Sequence, residues 1–393
     1  MILPVLPYLL VLALFAIVHR LLPPRFRWMF VLAGSLAYVA VYDFDYASGL
    51  VPALLAFWGL SWWMDREEGP RKKLVYALAL GLALAYFAFY KYTIWFHRTG
   101  NATLELFGRD PRFFMQKYVV PAGMSYYVFR LVHYLVERYR GRVEKLGPLK
   151  FLHYLMFFPT FAAGPIERSE RFKENIGLDD ADALKEGMRR IIFGLFKTMV
   201  LANVAHGLCF PVLMDPAAHS RLHLWGAVYA LAAYIYYNFA GYSDIAIGTA
   251  ALLGYKIMEN FDQPYLSPNL VEFWRRWHIS LGYWLRDYVY IPLGGSRKGR
   301  GRHYFNYLAV MAACGLWHGG EAHYLLWGAL HGAALIVNDW WRTALKRSFL
   351  SGPAFARAGT WAGIAVTFHF AALCWVIFFF DLDRAITIYR RLF

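Results

Sequence analysis

Charged residues are scarce in this chain. Asp, Glu, Lys and Arg make up 17% of its 393 residues, against about 25% in ordinary soluble domains, and 59% of its residues are hydrophobic. Residues 2–18, 28–42, 47–63 and 74–90 contain no charged side chain. Because a bilayer core about 30 Å thick needs roughly 20 helical residues, these runs exclude a soluble protein and predict tilted or partial membrane spans.

Cysteine and the common cofactor motifs are also few or missing. The three cysteines, Cys209, Cys314 and Cys374, lie far apart in apolar surroundings, which predicts small buried residues and not a disulfide or a metal site. The sequence has no Walker-type loop, dinucleotide fingerprint, zinc-ligand spacing or GxSxG element. We therefore predict no bound cofactor and no metal.

The formal charge of +15 is concentrated in short connections between the apolar runs. This placement indicates membrane topology and argues against nucleic-acid binding. The first and third connections are basic, whereas the second, residues 43–48, has no Lys or Arg. The bias predicts an N-terminus outside and a C-terminus in the cytoplasm. The first run lacks a basic leader and a cleavage site, so it is expected to be a retained span and not a signal peptide.

The hydropathy pattern predicts an all-α polytopic membrane protein. We expect roughly eleven transmembrane or partly spanning helices, with amphipathic or re-entrant helices among them. The whole chain, 1–393, is interpreted as a single integral-membrane domain. It would comprise N-terminal spans at 1–90, a motif-bearing core at 117–341 and a C-terminal span at 361–380. No internal repeat is visible, so an inverted-repeat transporter gains no support.

One apolar stretch, residues 305–341, carries three histidines. Its first helix is predicted to end at His318, because two glycines and a glutamate follow and the run before them is too short to cross a bilayer. Interrupted backbone at membrane depth must be covered by protein or line a water-filled cavity. The sequence therefore predicts a pocket that reaches His318. His331, among small residues, is either an interhelical hydrogen-bond partner or part of that pocket.

Residues 264–293 are both aromatic and charged. A helix start is expected at Ser267–Asn269, followed by an amphipathic helix that lies at the interface or enters the membrane. A membrane-surface helix would account for its arginines and tryptophans, but less well for His278. Further upstream, Asn238 and Asp244 interrupt a long apolar segment. Asp244 is expected to cap a helix or, in preference, to pair structurally with an arginine such as those of the amphipathic segment.

Several long motifs resemble those of the membrane-bound O-acyltransferase (MBOAT) superfamily. They are "NLVEFWRRWHISLGYWLRDYVYIPLGG", "CGLWHGG" and "LWGALHG". In addition, "FFPTFAAGPIERSERF" and "FAGYSDIAIGTAALLGY" are similar to the bacterial branch of alginate O-acetylases and teichoic-acid D-alanyltransferases. The resemblance covers about residues 85–340 and implies a helical bundle around a central tunnel.

The resemblance also implies catalytic residues. The family's invariant histidine matches His318, the candidate general base, and its second polar position matches His278, which would line the donor entrance or polarise the acyl carbonyl. The candidates for lining the tunnel are Trp277, Trp317, Arg275, Asn238, Asp244 and His331.

The resemblance leaves the substrates open. An acyl group, acetyl favoured over D-alanyl, would pass from acetyl-CoA or a phosphopantetheinyl carrier-protein thioester in the cytoplasm to a hydroxyl outside. The acceptor would be a cell-surface polysaccharide or an extracytoplasmic partner acyltransferase. The expected location is the bacterial cytoplasmic (inner) membrane. A D-alanyltransferase acting on teichoic acid, a transporter or flippase, and a scaffold of a polysaccharide export complex are the alternatives.

Overall fold

The computed structural model describes residues 5–108, 122–174, 181–345 and 353–393. These residues form sixteen α-helices, with a few short 3₁₀ and π turns between them. In chain order the helices are α1 (Val5–Leu21), α2 (Pro24–Tyr42), α3 (Phe44–Met64), α4 (Gly69–Leu106), α5 (Met124–Tyr139), α6 (Pro148–Met156), α7 (Ser169–Glu174), α8 (Ala181–Leu195), α9 (Ala202–Met214), α10 (Arg221–Leu252), α11 (Leu270–Arg276), α12 (Ile279–Leu285), α13 (Arg300–His318), α14 (Ala322–Leu345), α15 (Pro353–Phe379) and α16 (Leu382–Leu392).

The all-α polytopic fold predicted from hydropathy is confirmed. Within the described ranges, four helical stretches are long and apolar enough to cross a membrane, namely Phe44–Met64, Gly69–Thr93, Ala181–Met214 and Ala358–Phe379, and Tyr8–Leu21 is a shorter apolar helix. This is fewer than the roughly eleven spanning or partly spanning segments expected from hydropathy. Other helices, such as α13 with its arginines in the first turn, are shorter or more polar.

The chain divides into two compact units. The first unit comprises Met1–Phe193 and Ser243–Met258, and the second comprises Gly194–Tyr242 and Glu259–Phe393. A single integral domain over residues 1–393 stays a prediction.

The first unit buries several charged side chains. Arg130 of α5 is 1% exposed, and its guanidinium donates to the Thr160 carbonyl at 2.6 Å. Asp244, near the end of α10, accepts from Arg190 of α8 at 2.6 Å. The expected structural pairing of Asp244 with an arginine is confirmed, but the arginine belongs to α8 and not to the amphipathic segment. The observed partner reaches it because Gly187 and Gly248 leave no room for a Cβ between α8 and α10.

The second unit is built around a close pair of helices, α13 and α14. A Cβ at Gly315 would overlap the carbonyl oxygen of Tyr324, and a Cβ at Gly328 would overlap that of Met311. Small residues permit this approach, as the composition around His331 indicated. The pair matters for function because α13 carries His318 at its last position.

Candidate active site

His318 lies at the point where α13 ends. Gly319 follows in an extended conformation, with φ −179° and ψ 173°, and α14 begins only at Ala322. The prediction that the helix stops at His318 is confirmed. The stop leaves the imidazole at a helix end and partly exposed.

The segment 264–293 is not one helix. Asn269 caps α11 by accepting from the Glu272 backbone N–H at 3.1 Å, which confirms the predicted helix start. The helix then ends, and His278 adopts a left-handed conformation with φ +45° and ψ 55° before α12. The prediction of a continuous amphipathic helix is wrong at this point.

Backbone pairing explains the break. Phe261 and Trp277 form an isolated antiparallel bridge, flanked by a bond from the Asp262 N–H to the Arg276 carbonyl and one from the Ile279 N–H to the Asn260 carbonyl, both 3.0 Å. These bonds replace the helical ones that residues 276–279 would otherwise make. The helical spacing of this segment gives no indication that residues near Asn260, which lies 18 positions before His278, pair with it.

Two cavities of the second unit adjoin this break. The histidine cavity, about 220 Å³, is lined by His318 and, among others, by Asn238, Trp277 and Phe378. The arginine cavity, about 470 Å³, is lined by Arg275 and Arg286 together with apolar and aromatic side chains. Four residues line both, namely Trp274, His278, Leu281 and Cys314. These four residues form a shared wall between the histidine cavity, which His318 lines, and the arginine cavity, which Arg275 and Arg286 line.

Aromatic rings surround the His318 imidazole. The Phe378 ring lies edge-on to it, with centroids 4.6 Å apart and planes at 89°, and the Trp327 ring is similarly edge-on at 5.6 Å. Rings of this kind fix the orientation of an imidazole and reduce the local dielectric constant. A proton transfer at His318 would therefore take place in a site that is largely apolar but connected to a cavity.

The other candidates divide by position. Asn238 and Trp277 line the histidine cavity, and Arg275 lines the arginine cavity. Trp317 lines neither, but its ring contacts both His278, at 5.7 Å, and His318, at 4.6 Å. Asp244 belongs to the first unit.

His331 is placed differently from either expectation. It is fully buried against the rings of Trp274 and Trp327, with centroids 5.1 and 4.8 Å away. It lines neither of the two cavities. Among the described residues, neither of its ring nitrogens has a hydrogen-bond partner. The expected interhelical hydrogen bond is therefore not formed within that part of the chain.

Sequence reasoning did not identify Asn260, although its side chain holds His278. Asn260 is completely buried, and its Oδ1 lies 3.1 Å from the His278 Nδ1. Nor did it place Cys314 and Trp274 in the wall between the cavities. A polar asparagine in an otherwise aromatic loop could have indicated a buried role for Asn260. Its partner could not have been predicted, because the bridge between Phe261 and Trp277 brings His278 opposite it.

A serine, a histidine and a glutamate also meet in the first unit. Ser169 Oγ and Glu170 Oε2 each lie 3.1 Å from His133 Nε2. A catalytic triad needs the nucleophile and the acid on different ring nitrogens. Here both contact the same nitrogen, which also accepts from the Ser169 backbone N–H at 3.1 Å. The arrangement caps the start of α7 and does not activate the serine.

Comparison with known proteins identifies the family. The family described as MBOAT, membrane-bound O-acyltransferase family, matches residues 54–380. The chain belongs to this family. It is therefore a multi-pass membrane enzyme of the O-acyltransferase class, as its motifs predicted.

Relatives of this chain differ in the substrate they are named for. A probable alginate O-acetylase of Azotobacter vinelandii is 33% identical over 399 residues, covering 98% of this chain and 76% of that protein. One from Pseudomonas putida is 36% identical over 335 residues, covering 80% and 68%. A teichoic acid D-alanyltransferase of Streptococcus thermophilus is 32% identical over 279 residues, covering 65% and 67%.

Proposed function

We propose that this protein transfers an acetyl group from a cytoplasmic thioester to a hydroxyl of a cell-surface polysaccharide, or of a partner protein that passes it on. The observation that carries the proposal is the pair of adjoining cavities. One presents His318 and the other presents Arg275 and Arg286, and the two share a wall of four residues. Such an arrangement suits a reaction between two substrates that arrive from different sides.

In the proposed step, His318 acts as general base. The hydroxyl oxygen of the acceptor attacks the thioester carbonyl while its proton passes to the His318 imidazole. The new C–O bond forms, the C–S bond breaks, and the thiolate that leaves takes the proton back from the imidazolium. General base catalysis of this kind is typically worth about 10²–10⁴-fold.

The charge of the arginine cavity supports an anionic donor. Arg275 and Arg286 are 67% and 54% exposed in their side chains, so their guanidinium groups lie at its accessible edge. Each also pairs with a neighbouring carboxylate, Glu272 at 2.6 Å and Asp287 at 2.8 Å, with which a phosphate of the donor would compete. Coenzyme A and phosphopantetheine both carry phosphate, which arginine binds well. The basic stretch 295–303 follows closely in sequence. We therefore assign the arginine cavity to the donor and orient it toward the cytoplasm, with the N-terminus outside.

Acetyl is favoured over D-alanyl because the relatives that cover most of this chain are named as O-acetylases. The D-alanyltransferase similarity covers less of the chain, 65%. The experiment below separates the two acyl groups directly.

The test uses the purified full-length protein in sealed proteoliposomes. Radiolabelled acetyl-CoA, acetylated carrier protein or D-alanylated carrier protein is added outside, and deacetylated alginate, unmodified teichoic acid or deacetylated peptidoglycan is enclosed. We expect acetyl label to become covalently attached to an enclosed polysaccharide through an alkali-labile ester. Label that enters without forming an ester would indicate a transporter, and label attached only from the D-alanyl donor would overturn the choice of acyl group.

A further inference from the structure

The two ring nitrogens of His278 have unequal surroundings. Nδ1 lies 3.1 Å from Asn260 Oδ1. Nε2 is buried and has no hydrogen-bond partner among the residues that the structure describes. The side chain is 2% exposed and lines both the histidine cavity and the arginine cavity. One nitrogen is therefore held by the protein, and the other is left for something in the cavities.

The protonation of the ring follows from Ser280. Its backbone N–H points at the same Asn260 oxygen, at 3.3 Å, and its hydroxyl does so at 2.9 Å. A backbone N–H can only donate, so the asparagine must present its carbonyl oxygen and not its amino group here. His278 Nδ1 must then carry a proton and donate it to that oxygen. In the neutral ring, Nε2 bears the lone pair.

The backbone keeps this geometry in place. The bridge between Phe261 and Trp277 sets Asn260 opposite His278, and the Ile279 N–H bonds the Asn260 carbonyl at 3.0 Å. The left-handed conformation of His278, at φ +45°, is unfavourable for a residue with a Cβ. Such conformations persist where the surrounding structure fixes them, and they concentrate at functional sites.

We propose that Asn260 is a positioning residue, which holds His278 in the Nδ1-protonated tautomer so that Nε2 accepts a hydrogen bond from an N–H or O–H group of the substrate. This deepens the proposed function and rests on it. It assigns His278 a role opposite to polarising the acyl carbonyl, since that would need a proton on Nε2. A buried acceptor left unpaired is costly, so a substrate that pairs it gains affinity or rate.

Two groups could supply this hydrogen bond. One is the amide N–H of a pantetheine arm in the donor, and the other is the attacking hydroxyl. Replacing the amide next to the thioester by an ester removes the first. If the amide N–H donates the hydrogen bond to His278 Nε2, this change lowers kcat/KM about tenfold in the wild type. In His278→Phe, which has already lost the acceptor, the same change has little further effect. If the attacking hydroxyl donates this hydrogen bond, replacing the amide changes kcat/KM by the same factor in the wild type and in His278→Phe.

The tautomer itself can be tested without any reaction. The full-length protein, labelled at the nitrogens of its 13 histidines, is reconstituted in lipid and studied by solid-state nitrogen NMR. Subtracting the spectrum of His278→Gln isolates His278. We expect a protonated Nδ1 and an unprotonated Nε2. A protonated Nε2 in the wild type would overturn the inference, whether or not the protein transfers acyl groups.

Activity gives a second, independent measurement. In Asn260→Asp the new carboxylate favours the doubly protonated ring, so Nε2 loses its lone pair at neutral pH. At neutral pH, the kcat of Asn260→Asp should therefore be about one tenth of the wild-type kcat. The ratio of the two should rise toward one at alkaline pH, where the ring loses its extra proton. The other titratable or charged groups that line the two cavities are the same in both proteins, so the ratio reports the change made at Asn260. They are Arg275, Arg286, Tyr234, Tyr283, Tyr290, Tyr307, Cys314 and His318.

A ratio that does not change with pH would mean that Asn260 is merely structural. Asn260→Leu, which cannot hold either tautomer, serves as the matched variant and should be slow at every pH. If the wild type itself shows no transfer, the proposed function fails, while the nitrogen spectrum still decides the tautomer.

Discussion

At the scale of single residues, the buried His278 and His331 and the half-buried His323 of the second unit differ in what their ring nitrogens contact. His278 donates to Asn260, and His323 Nδ1 donates to the Phe380 carbonyl at 2.8 Å. His331 has neither kind of partner within the described residues. Sequence position alone could not separate these cases, because all three lie in similar apolar surroundings. The difference arises from which loop or helix end packs against each ring.

The unpaired nitrogens of His331 lead to a prediction about stability. His331→Phe removes buried polar atoms without leaving another one unpaired, so we expect the free energy of unfolding to change by less than about 1 kcal/mol. The control is His153→Phe in the first unit, where the ring Nε2 bonds the Tyr255 hydroxyl at 2.9 Å. That change strands a buried hydroxyl and should cost about 1–3 kcal/mol. Thermal unfolding in detergent measures both, and equal losses would contradict the prediction.

At the scale of helices, part of the architecture could be predicted from the sequence. The end of α13 at His318 and the start of α11 at Asn269 both follow from local residues, namely a glycine pair and a capping side chain. The break at His278 could not be predicted, because it depends on pairing with residues 260–262. Pairing of Asp244 with an arginine was expected, but its partner, Arg190 of α8, could not be predicted for the same reason. Contacts between distant segments leave no periodic signal.

The approach of α13 to α14 is set by glycine. In Gly328→Ala the new Cβ would overlap the Met311 carbonyl, so we expect the helices to separate and stability to fall by about 1–3 kcal/mol. Gly226→Ala in α10 is the matched control, since nothing lies within 4 Å of its Cβ position. It should be neutral or stabilising by up to about 1 kcal/mol. Thermal midpoints that fall equally would show that this contact is not tight.

At the scale of the whole molecule, composition and hydropathy predicted a polytopic helical membrane protein, and the family match supports the enzyme class. Of the candidates that the sequence suggested, His318, His278, Arg275, Asn238 and Trp277 line one or both of the two cavities, whereas Trp317, Asp244 and His331 line neither. The motifs did not indicate that Trp274, Leu281 and Cys314 line both cavities, because in the sequence these three are indistinguishable from ordinary core residues. The proposed mechanism requires the donor's thioester to pass the shared wall from the arginine cavity and meet the acceptor hydroxyl beside His318.

The most direct measurement is the rate of acyl transfer to polysaccharide by His318→Gln in proteoliposomes. We expect it to fall by about 10²–10⁴-fold, with unchanged yield and thermal unfolding, because the proton of the attacking hydroxyl loses its acceptor. His323→Gln is the control, since His323 lines neither cavity and should transfer at close to the wild-type rate. Transfer by folded His318→Gln at the wild-type rate would contradict the account.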